Sequence, residues 1–482
     1  MRNRILILLL AGASLSGCAV GPHYVAPANH APATFVGQAA VERRAAGPVD
    51  LVHWWRGFDD PMLTASIERA LDRNLDLQQA LARVGQARAS LRSANAALLP
   101  SGQVSGQVAE NEQSFRTPIG QIAQTFPGVQ RDSQLYELDL GASWEVDVFG
   151  GLSRQREAAR DDWQASGANA AATRLAIAAQ VADTYVTIRG LQARIAIAKG
   201  QVETQRRLVD TVGLQYRKGI AAELQLRQAE GALSQVEATV PALETALDSA
   251  ENAFDVLMGD QPGTSRDALA TETGIPHAPA ISAAGGPTEL LRRRPDIIAA
   301  ERTLAASNAR IGAAMSEYYP KFSLSGLLGS ATTSSTGLFA SAATQGTAAV
   351  GLRWRLFDFG RVDAEIKAAR GRNAEALAAY RLTVLRASED VEDAFSALVK
   401  REAQERALAA GETSLTRARD ASLAAYKGGV VSLIEVLDAD SRLLATRDAR
   451  AQASTESARA AIASFRALGG GWDAPQQVAD RS

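Results

Sequence analysis

Between Pro100 and Gly150 the chain alternates. Val104, Gly106 and Val108 come first, and after a polar stretch Leu138, Leu140, Ala142, Trp144, Val146 and Val148 take every second position, with Glu137, Asp139, Ser143, Glu145 and Asp147 between them. A period of two puts each set on its own face of a strand, so the stretch predicts a strand hairpin with one apolar and one acidic face. From Gly151 to Gln215 the period changes: proline is absent, and Leu175, Ile177, Val181, Tyr185, Ile188, Leu191 and Ile195 recur at helical spacing. At about 1.5 Å per residue such a helix would run on the order of 100 Å, far too long for a compact domain. Tyr216-Arg217-Lys218-Gly219 then predicts a turn into a returning helix that reaches Leu257 and is broken at Pro241.

The pattern occurs twice. Trp144 and Trp354 are 210 positions apart, as are Phe149 and Phe359, Tyr216 and Tyr426, Gly219 and Gly429, and Gly259 and Gly469. Upstream the offset is 220, pairing Pro100 with Pro320 and Asp76 with Asp296, so the difference in length falls between Pro320 and Trp354. The second copy has Phe322, Leu324 and Gly326, then Ala348, Val350, Leu352, Trp354 and Leu356 against Arg353 and Arg355. Its helical hairpin runs from Gly360 through a turn at Tyr426-Lys427-Gly428-Gly429 to about Leu468. The narrow Ala/Leu/Val stripes suit lateral packing in a coiled-coil wall, although an ordinary antiparallel bundle reads alike.

A soluble two-layer sheet would alternate in the same way. Strand length favours a membrane barrel, which needs about 9–11 residues per tilted strand, and the charged face suits a wet lumen. Trp144 and Trp354 near the strand ends fit an aromatic girdle. Four strands are too few to close, since the smallest membrane barrels have roughly eight, and an open edge in lipid is prohibitive. If these strands cross a membrane, the chain must therefore oligomerise. The connections 111–133 and 329–346 are the long loops expected on the outer side.

The N-terminus changes the setting. Arg2 and Arg4 precede an apolar stretch from Ile5 to Ala13, too short to span a bilayer, and Leu15-Ser16-Gly17-Cys18 follows. The four residues resemble a lipobox, in which Cys18 would be lipidated and become the mature N-terminus. Ala19 after it, by resemblance to bacterial lipoproteins, favours delivery to the outer membrane. The chain has 1 Cys, so an intrachain disulfide is impossible. The expected order is a signal peptide 1–17, a lipid-anchored segment 18–61, a first repeat 62–259 with its strand hairpin at 102–148, an inter-repeat belt segment 260–287, a second repeat 288–469 with its hairpin at 321–357, and a tail 470–482.

Charge and motifs exclude other classes. Lys+Arg 51 against Asp+Glu 53 gives a net charge of −2, without the excess needed to hold nucleic acid. Asp358-Phe359-Gly360 spells the kinase metal-binding triplet but lacks its lysine strand and catalytic loop, and its counterpart Phe149-Gly150 marks both as strand-to-helix turns. In Arg292-Arg293-Arg294 the adjoining Pro295 suits the first position of a helix, which favours a structural role. The 4 His lack zinc-ligand spacing, and there is no phosphate loop and no nucleophile beside a base. An enzyme is not expected, and neither a cofactor nor a metal.

Taken together, Leu-Ser-Gly-Cys at 15–18, Trp54-Trp55 with Phe58 and Asp59-Asp60-Pro61, Leu291-Arg292-Arg293-Arg294-Pro295-Asp296-Ile297 with Ala300-Glu301-Arg302, Tyr319-Pro320, and 426–438 resemble the outer membrane factor family. The match is to its lipoprotein branch, the OprM/NodT-like channels related to TolC, and covers nearly the whole chain. The resemblance implies a mainly α fold with a membrane β-barrel, a TolC-like α/β-barrel of two repeats closed by trimerisation with four strands per chain. It implies a homotrimer in the outer membrane, a large periplasmic portion, a periplasmic adaptor, and an inner-membrane pump of RND type. The function implied is a passive exit duct for small toxic compounds or drugs, with a type I protein-secretion duct as the alternative; the lipobox leans towards the former. A pore-free periplasmic scaffold is the reading from another class.

By the same resemblance the periplasmic gate maps to Tyr426, Glu435 and Asp438, the acidic pair sharing one helix face. Relatives carry an arginine at the position of Ser441, so here Arg442 is the candidate partner, about 100° away around the helix. The first copy has Gln225 and Gln228 at the acidic positions, leaving only the second hairpin to supply a carboxylate ring. The hairpin turns at Tyr216, Gly219, Gly428 and Gly429 are the expected adaptor contacts.

Overall fold

The computed structural model describes residues 19–28, 34–43, 50–271, 273–279, 281 and 287–473; Cys18 lies outside them. In chain order the main elements are α1 (Pro61–Arg73), α2 (Leu75–Ala96), β1 (Ser101–Glu112), β2 (Asp132–Val146), α3 (Gly151–Arg217), α4 (Glu223–Glu237), α5 (Thr239–Met258), α6 (Pro295–Ser316), β3 (Lys321–Thr332), β4 (Thr344–Arg353), α7 (Arg361–Lys427) and α8 (Leu433–Ala467). Among the described residues no helix is long and apolar enough to cross a membrane. The chain divides into two compact units, one of 1–27, 85–165 and 301–379, the other of 28–84, 166–300 and 380–482.

The first unit holds the sheet. Its strands form an antiparallel meander in the order β1-β2-β3-β4, with Ser101 opposite Ser143, Trp144 opposite Leu324, and Lys321 opposite Arg353. The connections 113–131 and 333–343 close the β1-β2 and β3-β4 pairs at little entropic cost, whereas β2 and β3 pair although the first helical hairpin lies between them in the chain. The loop 113–131 carries a one-turn helix, Pro118–Ala123, capped by Thr117. β4 stops at Arg353, earlier than the 321–357 hairpin expected, so Trp354 and Leu356 lie past its end. The reason is across the ladder: β3 begins at Lys321, and Pro320 before it has no N–H to extend the pairing. Each tryptophan instead fastens its strand end to the end of the preceding helix. Trp144 Nε1 donates to Leu98 O at 2.9 Å, and Trp354 Nε1 to Tyr318 O at 3.0 Å.

Beside the sheet, Val20 N–H donates to Phe149 O at 3.1 Å, while the buried Arg154 side chain donates to Val20 O and Gly21 O. Ala158 packs against Ala306 and Ala309, small side chains that bring α3 and α6 close. On that wall burial pushes the Asp161 carboxyl up to about 6, although the Arg302 guanidinium 3.7 Å away pulls it down. A raised folded value means the folded state binds the proton more tightly. The contribution to stability is thus complete below the ordinary 3.8 and lost as pH rises to about 6. Asp161→Asn is expected to raise the melting temperature above pH 6 and barely change it below pH 4 (melting curves against pH).

The second unit is helical with a belt of short segments. The Trp54–Phe58 turn buries Trp54, Trp55 and Phe58, and Trp54 stacks on Phe465 at 5.3 Å. Asp60 caps α1, its Oδ1 accepting from Met62 and Leu63 N–H at 2.9 Å, while its Oδ2 accepts from Tyr185 at 2.8 Å. Arg189 is 1% exposed and donates to Leu269 O, Thr271 O and Gln192, pinning the belt to α3. Arg294 pairs with Asp296 at 2.7 Å and Asp390 at 2.9 Å, which makes it structural. Between the hairpins Arg194 pairs with Asp448, and Asp183 with Arg459. The returning helix breaks at Ala238, three residues before Pro241. Proline has no N–H for the carbonyl of Glu237 and its ring crowds that carbonyl, so α4 ends there.

Candidate functional site: the hairpin turns

Both long helices end on the same turn. Gly219 N–H donates to Tyr216 O and Ile220 N–H to Gln215 O; Gly429 N–H donates to Tyr426 O and Val430 N–H to Ala425 O. These bonds satisfy the last carbonyls, and they need a left-handed residue, supplied by Gly219 at φ 71° and Gly429 at φ 72°. Gly428 has no such conformation, and its counterpart is Lys218. The turns share one small core in which Leu208, Val212, Ala229 and Leu433 are buried, with Tyr426 packed against it. Tyr426 Oη donates to Gln215 Oε1 at 2.9 Å, tying the second hairpin to the first. Burial raises the Tyr426 phenol, so it remains a donor.

The carboxylates have separate tasks within the chain. Glu435 is the third residue of α8 and accepts from the Ser432 N–H, completing a capping box. Gln225 does the same in the first copy, accepting from Ala222 N–H at 3.2 Å. Asp438 pairs with Arg442 one helical turn on, at 2.9 Å, with both side chains well exposed. An exposed pair of this kind contributes only about 0.3–0.5 kcal/mol. Tyr426, Glu435 and Asp438 thus lie near one tip but make no direct contact with one another among the bonds described.

A second set of charges escaped the sequence reading. Arg419 on α7 pairs with Asp440 on α8 at 2.9 Å, and Asp440 is only 3% exposed. Glu412 receives Arg447 at 3.2 Å and Arg450 at 2.8 Å. The bond from Arg450 holds the Glu412 carboxyl below the ordinary range. Together they line a cleft of about 1530 Å³ that Asp60 and His277 also border. The signal was present: Glu412 and Arg419 are seven apart, Asp440 and Arg447 are seven apart, and the order is inverted as an antiparallel hairpin requires.

The geometry is that of a small open sheet with two long helical hairpins, and comparison decides the family. The model of the family described as outer membrane efflux protein matches residues 66–260 and 286–470. The chain belongs to that family. This outer membrane efflux protein is 30% identical to outer membrane protein OprJ of Pseudomonas aeruginosa, over 96% of this chain and 95% of that one. It is 29% identical to nodulation protein T of Rhizobium leguminosarum bv. trifolii, over 95% and 96%. Among solved structures it superposes on the outer-membrane channel OprN with a TM-score of 0.86 and 32% identity, covering 94% of this chain and all of the other. The fold is therefore that of the TolC-like outer-membrane channels, mainly helical with one antiparallel sheet, and the protein is an outer-membrane efflux component.

Proposed function

We propose that the protein is the exit duct of a tripartite pump for small toxic compounds, working as a homotrimer with a periplasmic adaptor and an inner-membrane pump of RND type. The carrying observation is the sheet: four strands with alternating apolar positions, both edges β1 and β4 unpaired, each strand pair leading into a long helical hairpin. Unpaired edges are intolerable in lipid, and three chains supply twelve strands, enough to enclose a lumen. Trp144 and Trp354 then sit at a bilayer interface, where an indole with its N–H satisfied is favourable. Tyr426, Glu435, Asp438 and Arg442 form the periplasmic gate, and the turns at Tyr216, Gly219, Gly428 and Gly429 meet the adaptor. The Tyr426 bond to Gln215 supports this reading, because it restrains the tip within each chain. The test is single-channel conductance in planar bilayers: discrete, ion-conducting events are expected, and a purified, folded protein that never conducts would instead be a scaffold.

Cys18 anchors the chain by lipid. Cys18→Ser is expected to abolish incorporation of radiolabelled palmitate while leaving a folded, membrane-inserted protein, because the strands supply their own insertion energy. Processing of the wild-type precursor that is insensitive to globomycin would contradict the lipobox.

A further inference from the structure

The two loops that join the strand pairs differ in charge. The loop 113–131 carries Arg116 and Arg131 between the acidic strand ends Glu112 and Asp132, whereas from Phe322 to Leu352 the chain has no Asp, Glu, Lys, Arg or His. The connection 333–343 lies inside that uncharged stretch and holds Leu338 and Phe339, the latter 86% exposed. Exposed apolar side chains without charge around them mark a surface that meets something other than water.

The fold of the loop shows what it meets. On β3, Leu324, Leu328, Ser330 and Thr332 share one row, facing Trp144, Leu140, Leu138 and Tyr136 in the apolar row of β2. The connection turns back onto this row. Ser330 Oγ donates to Leu338 O, Ser334 N–H donates to Thr332 Oγ1 at 3.2 Å, and a Cβ on Gly337 would stand 2.9 Å from the same oxygen. The loop thus leans on the apolar side of the sheet, away from the face of Glu137 and Asp139. Its height agrees. Trp144 is level with Leu324, and Thr332 is eight residues further along β3, about 20 Å higher at a strand tilt of about 40°. The apolar band of a membrane barrel is about 25 Å tall with aromatic side chains at each rim, so Leu338 and Phe339, just beyond Thr332, reach the second rim.

We infer that the connection 333–343 lies back along the wall as an outer collar, with Leu338 and Phe339 among the acyl chains of the outer leaflet. The inference rests on the reading of the sheet as a membrane-spanning wall. It sets an outer rim of Tyr136 and Phe339 against the inner rim of Trp144 and Trp354. The hydroxyls of Ser330 and Tyr136 bond to protein oxygens, on Leu338 and Gln134, and so do not depend on water. A charge would be costly at this depth, and the stretch has none. A loop laid along the wall also keeps clear of the lumen and does not obstruct the mouth of the duct.

Spin labels on single cysteines in a Cys18→Ser background measure depth, because the chain has 1 Cys. The protein is placed in vesicles of phosphatidylethanolamine and phosphatidylglycerol, and collisions with oxygen, which favours hydrocarbon, are compared with those of a nickel chelate confined to water. The oxygen-to-nickel ratio at Phe339→Cys should exceed that at Arg116→Cys in the other loop by at least about fivefold, since the chelate is excluded from hydrocarbon. Leu338→Cys gives a second reading should the first substitution disturb the loop. Nickel access at both equal to that at Arg116→Cys puts the loop in water and overturns the inference. Labels screened from both reagents put the loop against protein and overturn it equally. Leu140→Cys reports on the wall itself. If its label meets oxygen while that of Phe339→Cys meets nickel, only the collar fails; if it meets nickel, the sheet does not face lipid and the wall reading falls, the collar with it.

Discussion

Neutralising the acidic pair, Glu435→Gln with Asp438→Asn, is expected to lower the cation selectivity of the channel and to weaken its block by trivalent cations by well over tenfold. Three chains would bring six carboxylates to one narrow aperture, and a multivalent cation draws on several of them at once. The structure makes the double variant a clean one. Glu435 caps α8 through the Ser432 N–H, and glutamine performs that task at the equivalent Gln225, so the helix start survives the change. Asp438→Asn gives up only an exposed pair with Arg442. Tyr426→Phe tests the other component. It removes the bond to Gln215, worth about 1 kcal/mol, and should raise open probability modestly without altering selectivity. Reversal potential and block under a salt gradient report both. If selectivity and trivalent block are unchanged in the double variant, the carboxylates do not line the pore, and the gate assignment falls while the channel remains.

Leu140→Arg should destabilise the inserted protein by about 2–4 kcal/mol near the midplane of the bilayer, whereas Asp139→Asn should cost less than about 1 kcal/mol. Leu140 stands in the apolar row of β2, opposite Val104 and Leu328, and is 56% exposed. A guanidinium there must be dragged from water into hydrocarbon. Asp139 is on the other face, where its Oδ1 accepts from Gln345 Nε2 at 3.0 Å, a bond that asparagine can keep. Urea unfolding from lipid vesicles measures the difference. Equal, small effects at the two positions would mean that this face of the sheet does not meet lipid.

The sequence by itself determined the repeat, the elements and the family. Alternation over 137–148 and helical spacing over 151–215 are local patterns, and each periodicity survives in one chain read alone. The turn glycines at 219 and 429 are likewise local, since a left-handed residue is required wherever a helix ends this way. What only the tertiary structure decided was pairing. That β4 ends at Arg353 depends on Pro320 across the ladder, and that Glu435 closes a capping box depends on where its carboxylate points. The Arg419–Asp440 pair and the buried Arg189 likewise draw their partners from distant segments. Charge on a helix reads in sequence as a solvated face. Only packing reveals which charges lost their water and had to find a partner in its place.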